Sequence, residues 1–511
     1  MKKHIILVAL ILLKFVIQYQ LISPIYDLHR DEFLHLDQAN HLDWGYLSVP
    51  PLTSWLSYLI MILGNSVFWI KFFPALFGAL TTLVVWKTIE ELKGNLFALI
   101  FGSFCVTFSV LFRLNTLYQP NSLDVLSWTL IYYFIIKYIN SEQNKWLYFI
   151  AVTFAVGFLN KYNVAFLILG IVPAILAVPE RKVLSNKKFY YSIFIVFLII
   201  LPNLIWQYNN NFPVASHFKE LAETQLVNVN RWSFIKSQFM FFFGTFPVIG
   251  FGLYALLRYQ SFRKYRLFFF SFFITIGIFL FLRAKDYYAI GIYPIYFAFG
   301  SVYISTFFEN RAGMVFKPLL IALPLVFFIP VYMLAFPNRS PQYFVNHPEK
   351  YRAIGMLTWE DGKEHQLPQD FADMLGWQEL AQKVDRIYSQ IPNPQNTLVL
   401  CDNYGQAGAI NYYSKCGIRA VTFNADYINW FDFTHEFRNL IRIKNSWESD
   451  VEMDETSPYF EQSMRSDSIT NNYSREYRTM IFTFINAKID INKRVKNEVE
   501  QERQRHLLSV K

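Results

Sequence analysis

Residues 189–206 read FYYSIFIVFLIILPNLIW, a run of eighteen residues without a charged side chain. A helix needs roughly 20 apolar residues to cross the hydrocarbon core of a bilayer. Comparable runs recur along the first two thirds of the chain, at 4–22, 66–87, 95–112, 123–139, 146–160, 162–178, 189–206, 235–257, 266–282, 288–307 and 315–336. They predict an all-α polytopic membrane domain with about 11–13 transmembrane helices, surrounded by membrane lipids.

The composition of the whole chain agrees with this class. Of 511 residues, 54% are hydrophobic and 17% are charged, which is too apolar for an ordinary soluble enzyme. The formal charge is +9, but the lysines and arginines lie in the short links between spans instead of forming one patch. We therefore expect no nucleic acid among the partners. The first span is expected to remain as a helix, with a cleaved signal peptide as the alternative.

The basic residues also predict the orientation. If the amino terminus is cytoplasmic, the inner links hold most of the lysines and arginines, among them Lys87, Lys137, Lys182 and Lys264. The positive-inside rule then fixes the topology. We predict a multi-pass protein of the inner (plasma) membrane, with its active face and C-terminal domain on the extracytoplasmic, periplasmic side.

The composition changes after the last span. The predicted domains are a transmembrane domain at 1–336, an extracytoplasmic soluble α/β domain at 337–485 and a charged C-terminal tail at 486–511. The tail reads as a solvated helix or a frayed end. Two of the three cysteines, Cys401 and Cys416, lie in the α/β domain. The sequence does not decide between a disulfide that joins them and two separate thiols. No cysteine spacing is typical of metal ligands.

Helical and strand-like segments alternate within the predicted α/β domain. Phe371–Ile391 has a helical pattern, and Asn403–Ala409 reads as a turn of small residues. The strand-like segments are Thr397–Leu400, Ala420–Phe423 and Arg478–Ile485.

An acidic pair, Asp31-Glu32, follows the first span in an aromatic loop that ends at Pro50-Pro51. Carboxylates are costly beside hydrocarbon, so a pair at the membrane edge indicates catalysis or binding. The alternative is a solvated loop pair. His41 and Trp44 lie in the same loop; they are candidates for substrate contact, or else a structural histidine and an interface tryptophan.

The other candidates for chemistry fall on the same predicted outer face. They are Arg113, Asn121, Asp124, Lys161, Arg283, Lys285, Tyr287 and Tyr288. A carboxylate near several cations suits group transfer from a lipid phosphate, because the cations neutralise the departing phosphate and the carboxylate accepts a proton from the attacking hydroxyl. The alternatives are that the basic residues anchor span ends and that Asp124 makes hydrogen bonds within the bundle.

These motifs resemble those of a known family. They comprise Asp31-Glu32, His41–Tyr46, Pro50–Leu52, Gln119–Asp124, Asn160–Tyr162, Pro202–Trp206, Lys285–Tyr288, Tyr293-Pro294, Phe371–Trp377 and Asn403–Ala409. Together they resemble the bacterial branch of the protein O-mannosyltransferase family (glycosyltransferase family 39), membrane enzymes of the GT-C fold related to the lipid A aminoarabinose transferase. The resemblance covers most of residues 25–425, and no single motif carries it.

The resemblance implies roles for particular residues. Asp31 is the leading catalytic candidate. Glu32 beside it is expected to help bind the acceptor or to act as a base. A second acidic residue is expected at the start of the fourth span, usually as the Asp of a Pro-Asp pair. This chain has Asn121 in that position, which leaves Asp124 as the candidate for the second acid. Some relatives have a lysine for the carrier phosphate directly before the paired prolines, where this chain has Val49. Phosphate contact would then fall to Lys161, Lys285, Arg283 or Arg113.

The resulting hypothesis is an inverting transfer from a polyprenyl-phosphate-linked sugar to a protein hydroxyl, lipid A or an envelope glycan, with Asp31 as base. No glycine loop for a nucleotide is present, which favours a lipid-linked donor. A divalent metal near the acids stays open, because no ligand set is specific enough to assign one, and no other cofactor is expected. The alternatives are a transporter or flippase, and a non-catalytic protein that binds lipid-linked sugar.

Overall fold

The computed structural model of the protein describes residues 2–224, 226–309, 311–446 and 449–508. Its first part is helical throughout. The helices are α1 (Lys2–Gln20), α2 (Arg30–Asp37), α3 (Leu52–Ile62), α4 (Val67–Glu91), α5 (Leu96–Thr107), α6 (Leu111–Leu114), α7 (Asn121–Ser141), α8 (Lys145–Asn160), α9 (Val164–Leu176), α10 (Lys187–Asn209), α11 (Pro213–Thr224), α12 (Arg231–Phe241), α13 (Phe246–Arg258), α14 (Arg266–Phe281), α15 (Pro294–Ser305) and α16 (Arg311–Ala335).

Among the described residues, six helices are long and apolar enough to cross a membrane, and nine if each bent helix pair is one span. The prediction of a polytopic helical domain is therefore confirmed, and the protein is a multi-pass membrane protein. Two of the eleven predicted runs, 95–112 and 146–160, form shorter apolar helices, α5 and α8. Three others are bent, by 108°, 98° and 50°. In each bent pair a proline lies at the start of the second helix, where its missing N–H is tolerated.

The centre of the membrane domain is closely packed, whereas its outer helices are exposed. Gly252 lets α13 approach α15, because a Cβ there would lie 2.6 Å from the carbonyl oxygen of Tyr296. Such small residues at contact points are typical of membrane helix pairs. Few of the described side chains of α10 and α16 are buried, as expected for helices that face lipid.

The C-terminal part combines helices with one sheet. The helices are α17 (Pro341–Val345), α18 (Pro348–Arg352), α19 (Gln369–Ala372), α20 (Trp377–Tyr388), α21 (Tyr404–Tyr413), α22 (Ser449–Thr456) and α23 (Ile491–Leu508). The strands are β1 (Thr397–Cys401), β2 (Ala420–Thr422), β3 (Asn439–Lys444), β4 (Phe460–Ser468) and β5 (Met480–Ala487). The sheet order is β2-β1-β3-β5-β4, with β1 parallel to β2 and β3, and β5 antiparallel to β3 and β4.

The predicted strands are found as β1, β2 and β5, but β3 and β4 were not anticipated. The predicted helix at Phe371–Ile391 is two helices, α19 and α20, separated at Gly376, which has a positive φ of 87°. The predicted turn at Asn403–Ala409 is wrong, because this segment opens helix α21. Asn403 caps that helix: its Oδ1 accepts a hydrogen bond from the N–H of Gln406 at 3.1 Å.

Two further expectations for this part of the chain can be compared with the structure. The predicted tail contains helix α23, which is not simply solvated: Ile491, Val495 and Val499 are buried against the sheet. Residues 509–511 of that tail lie outside the described residues. Cys401 is buried and Cys416 is exposed, and the two thiols are not bonded to each other.

Helix α21 packs directly on α2, so the C-terminal domain contacts the acidic segment of the membrane domain. The contact depends on two glycines three residues apart on one face of α21. A Cβ at Gly405 would lie 2.7 Å from Cγ of Arg30, and a Cβ at Gly408 would lie 2.7 Å from Cβ of Phe33 and from Oη of Tyr427. Phe33 also packs edge-to-face against Trp377, with ring centroids 5.8 Å apart.

We expect Gly408→Ala to loosen this packing. The added methyl group would force α21 away from α2, which costs about 1–3 kcal/mol and outweighs the gain in helix propensity of about 1 kcal/mol. Thermal unfolding of the purified protein would show a lower midpoint. Gly277→Ala is the control, because a Cβ there meets no atom within 4 Å; an equal effect of both substitutions would contradict the close contact.

Candidate active site

The acidic pair lies at the first turn of α2, where a capping box fixes the helix start. Nδ1 of His29 accepts a hydrogen bond from the N–H of Asp31 at 3.2 Å. In return, Oε2 of Glu32 accepts one from the N–H of His29 at 2.7 Å. This reciprocal pattern satisfies two backbone donors that a helix start leaves without partners. It also determines where the two neighbouring carboxylates point.

Glu32 is completely buried, and its oxygens are used for structure. Nζ of Lys71 donates to both of them, at 2.6 and 2.8 Å, and the N–H of Tyr118 donates to Oε1 at 2.6 Å. Burial raises the pKa of Glu32, but the charge and hydrogen bond of Lys71 outweigh it and hold the pKa below its usual value. The arrangement favours a structural role for Glu32 rather than the predicted one in catalysis.

Asp31 differs from its neighbour because 40% of its side chain is exposed. Oη of Tyr404 donates to Oδ1 at 2.8 Å, and Nε2 of Gln119 donates to Oδ2 at 3.1 Å. Burial raises the pKa of Asp31, but nearby His29 and Arg30, together with the Tyr404 hydroxyl, hold it below its usual value. Asp31 is therefore an ionised, oriented carboxylate with part of its surface open.

A chain of hydrogen bonds connects Asp31 to a cation. Gln119 contacts Asp31 through its amide nitrogen, and its Oε1 accepts from Nδ2 of Asn121 at 2.9 Å. Oδ1 of Asn121 then accepts from Nζ of Lys161 at 2.7 Å. The amides of Gln119 and Asn121 each donate one hydrogen bond and accept another. This chain therefore fixes the carboxylate of Asp31 and the ammonium group of Lys161 relative to each other. Gln119 was not predicted as a site residue, although it lies in one of the motifs.

Aromatic rings enclose Lys161. Its Nζ lies 5.2 Å from the ring centroid of Tyr287 and 4.7 Å from that of Tyr288, within the range of cation–π attraction. Burial lowers the pKa of Lys161 to about 8; the charge of Asp124 opposes this shift and that of Lys285 adds to it. Nζ of Lys285 is 2.6 Å from Oε1 of Glu360. Two lysines thus lie near each other beside the tyrosines.

Asp124 is buried one helical turn into α7. Its Oδ1 accepts from Nε1 of Trp128 at 3.0 Å and its Oδ2 from Nδ2 of Asn163 at 2.8 Å. Nδ2 of Asn163 also donates to the carbonyl oxygen of Tyr288 at 3.0 Å. Asp124 therefore connects α7 to the segments that hold Lys161 and Tyr288. This geometry favours the hydrogen-bonding alternative over a catalytic role.

The structure does not bring four predicted residues into this cluster. Arg113 pairs with Asp370 at 3.4 Å and faces a separate cavity. Arg283 is exposed at a left-handed backbone position. His41 stacks on Trp430, with ring centroids 4.3 Å apart. The ring of the exposed Trp44 packs against Trp55 at 5.0 Å.

The cavity beside Arg113 has a volume of about 380 Å³ and lies between α1, α4 and the start of the C-terminal domain. Its walls are mainly apolar and include Phe15, Phe68 and Phe72. Lys71 also reaches it, but this cation is paired with Glu32, as Arg113 is with Asp370. Within the described ranges, no three His, Cys, Asp or Glu side chains are grouped so that they could hold a metal ion.

Comparison with known proteins gives consistent matches. A family model described as dolichyl-phosphate-mannose-protein mannosyltransferase matches residues 48–206. The fold is similar to that of ArnT from Cupriavidus metallidurans bound to undecaprenyl phosphate, with a TM-score of 0.64 and 12% sequence identity over 93% of this chain and 97% of that one. The chain has the GT-C fold. The apo form of the same ArnT matches this GT-C chain with a TM-score of 0.62, at 11% identity over 93% and 97% of the two chains.

A curated relative of the GT-C chain is the lipid A galacturonosyltransferase RgtD from Rhizobium johnstonii. It is 23% identical over 246 residues, which is 47% of this chain. The chain spans about half the length of that relative in the match, 50%. The predicted GT-C fold is confirmed, and so is the predicted resemblance to GT-C membrane glycosyltransferases.

The Glu32–Lys71 ion pair gives a testable stability effect. We expect Glu32→Gln to lower the free energy of unfolding by about 3 kcal/mol, because it leaves the buried Lys71 without its counter-charge. Replacing Lys71 by Met in the same chain should restore part of the loss, since the buried charge is then gone. Thermal unfolding in detergent would measure both effects.

The matched control for this prediction is Glu142→Gln. Glu142 is bonded to Lys182, and both side chains are mostly exposed, so we expect no measurable change. A Glu32→Gln protein that unfolds at the wild-type temperature would contradict the structural role of Glu32.

Proposed function

We propose that the protein is a membrane glycosyltransferase that moves a sugar from a polyprenyl-phosphate donor to an acceptor outside the cytoplasm. The observation that carries this proposal is the hydrogen-bonded chain from Asp31 through Gln119 and Asn121 to Lys161. It holds an acceptor-activating base and a phosphate-binding cation in one site. The names of the relatives support it: one is a lipid A galacturonosyltransferase, and another was crystallised with undecaprenyl phosphate.

In this proposal Lys161 and Lys285 hold the phosphate of the donor. Lys161 is buried beside Tyr287 and Tyr288, where a positive charge interacts strongly with an anion because little water competes. Lys285 lies near enough to lower the pKa of Lys161. A phosphate between the two ammonium groups would relieve that repulsion. The tyrosine rings are suited to pack against the sugar or the first isoprene unit.

Asp31 is the base in the proposed reaction. The oxygen of the acceptor hydroxyl attacks the anomeric carbon as its proton passes to the carboxylate of Asp31. The bond from that carbon to the phosphate oxygen breaks, and its electron pair leaves with the polyprenyl phosphate. Attack from the side opposite the phosphate inverts the anomeric configuration. Most of the acceleration would come from orientation and from the charge placed near the phosphate.

The position of the site supports an outer-face assignment. Helix α7 has 21 residues, about 30 Å at 1.5 Å per residue. Asn121, at its start, belongs to the proposed site. Near its other end, Lys137 pairs with Glu91 and Lys264 donates to Asn140. The site and the basic links thus lie at opposite ends of one membrane helix, so the positive-inside rule favours an extracytoplasmic site.

We expect Asp31→Asn to lower kcat at least about 100-fold, because the amide cannot accept the acceptor's proton. The assay would use purified protein in nanodiscs, with lipid A as the first acceptor. The donors would be undecaprenyl phosphate carrying labelled galacturonic acid, aminoarabinose or mannose. Asp432→Asn, which changes a solvated carboxylate of the C-terminal domain, is the control. Unchanged transfer by Asp31→Asn would reject the assigned base, and donor binding without transfer by the wild type would favour a non-catalytic binding protein.

The pH dependence should report Lys161. Only the protonated ammonium group attracts phosphate, so kcat/KM for the donor should fall as the pH rises through about 8, the pKa of Lys161. Lys161→Arg keeps the charge at all these values and should move that fall to higher pH. Lys161→Met should raise the donor KM about tenfold or more. An alkaline limb that is the same in wild type and Lys161→Arg would contradict the role of Lys161.

A further inference from the structure

We infer that Tyr404 of the C-terminal domain is a positioning residue for Asp31, so that the reaction centre in the membrane domain is complete only when the C-terminal domain is docked. This inference rests on the proposed function, because it concerns the same carboxylate. It assigns the C-terminal domain a part in the chemical step.

The two oxygens of Asp31 are held from two sides. Gln119, in the membrane domain, donates to Oδ2 at 3.1 Å. Tyr404, 373 residues along the chain, donates from its Oη to Oδ1 at 2.8 Å. Burial raises the pKa of Tyr404, so the phenol keeps its proton and acts as the donor. With one donor on each oxygen, the carboxylate plane has a fixed orientation.

Tyr404 itself has little freedom to move. It is the first residue of α21, directly after the helix-capping Asn403. The guanidinium carbon of Arg30 lies 4.3 Å from the centroid of the Tyr404 ring, at a distance typical of cation–π contacts. Gly405 leaves the room that Arg30 needs. The ring therefore contacts Arg30 while the hydroxyl contacts Asp31, so Tyr404 contacts two successive residues of α2.

A residue of this kind should affect turnover more than donor binding. Tyr404 contacts the base, whereas the donor phosphate is assigned to Lys161 on the other side of Gln119 and Asn121. Without the hydroxyl, Asp31 can rotate away from the acceptor and loses one of the donors that keep it ionised. Orientation losses of this type reduce rates strongly even when binding is intact.

The test compares Tyr404→Phe with Tyr412→Phe in the full-length protein. Each removes one hydroxyl of α21 that bonds to the membrane domain; Oη of Tyr412 donates to the carbonyl oxygen of Asn65 at 3.0 Å, and Asn65 has no part in the proposed site. With undecaprenyl-phosphate-linked galacturonic acid and lipid A as probes, Tyr404→Phe should lower kcat about tenfold and leave the donor KM within about twofold. Tyr412→Phe should change neither constant.

A second measurement does not need turnover. Infrared titration of the Asp31 carboxylate, obtained as the difference between each protein and its Asp31→Asn form, should show a pKa higher by about 0.5–1 unit in Tyr404→Phe, because a hydrogen bond to the charged form is lost. In Tyr412→Phe that pKa should equal the wild-type value.

The outcomes separate this inference from the proposed function. If the wild type transfers sugar and Tyr404→Phe keeps its kcat, the inference is wrong and the function stands. Equal losses in both variants, or a change confined to the donor KM, would also overturn it. If the wild type transfers no sugar from any of the donors, the proposed function fails, and an unshifted Asp31 titration in Tyr404→Phe would reject the contact itself.

Discussion

One buried carboxylate, that of Glu32, determines how the site is assembled. A charge at this depth beside a membrane domain is tolerated only when its hydrogen bonds are complete. Its donors come from three segments: the start of α2, Lys71 on α4 and the backbone of Tyr118, which precedes α7. Asp31 is the residue before Glu32 and Gln119 is the residue after Tyr118, so the hydrogen bond from Tyr118 to Glu32 sets the distance between the proposed base and the chain that leads to Lys161.

The site combines residues of both domains. In the membrane domain, Asp124 connects α7 to Asn163 and hence to the backbone of Tyr288. The C-terminal domain adds Tyr404 to Asp31 and Glu360 to Lys285. Both of these contacts reach charged residues of the membrane domain, so the position of the C-terminal domain and the electrostatics of the site depend on each other.

Much of this arrangement follows from sequence patterns, and the exceptions have physical causes. Hydrophobic runs predicted the membrane domain, and the motifs placed Asp31, Asn121, Lys161, Tyr287 and Tyr288 on one face. Sequence could not separate Asp31 from Glu32, because adjacent helical residues point in directions about 100° apart and only the surrounding fold decides which is buried. Nor could it find Tyr404, whose glycine-rich segment reads as a turn although its glycines serve close packing of α21 on α2.

The most direct test of the account is a structure of the protein in lipid nanodiscs with undecaprenyl phosphate. The account predicts the phosphate between Lys161 and Lys285, within hydrogen-bond distance of Nζ of Lys161. A phosphate bound instead in the cavity lined by Lys71 and Arg113, with Lys161 unchanged, would contradict it.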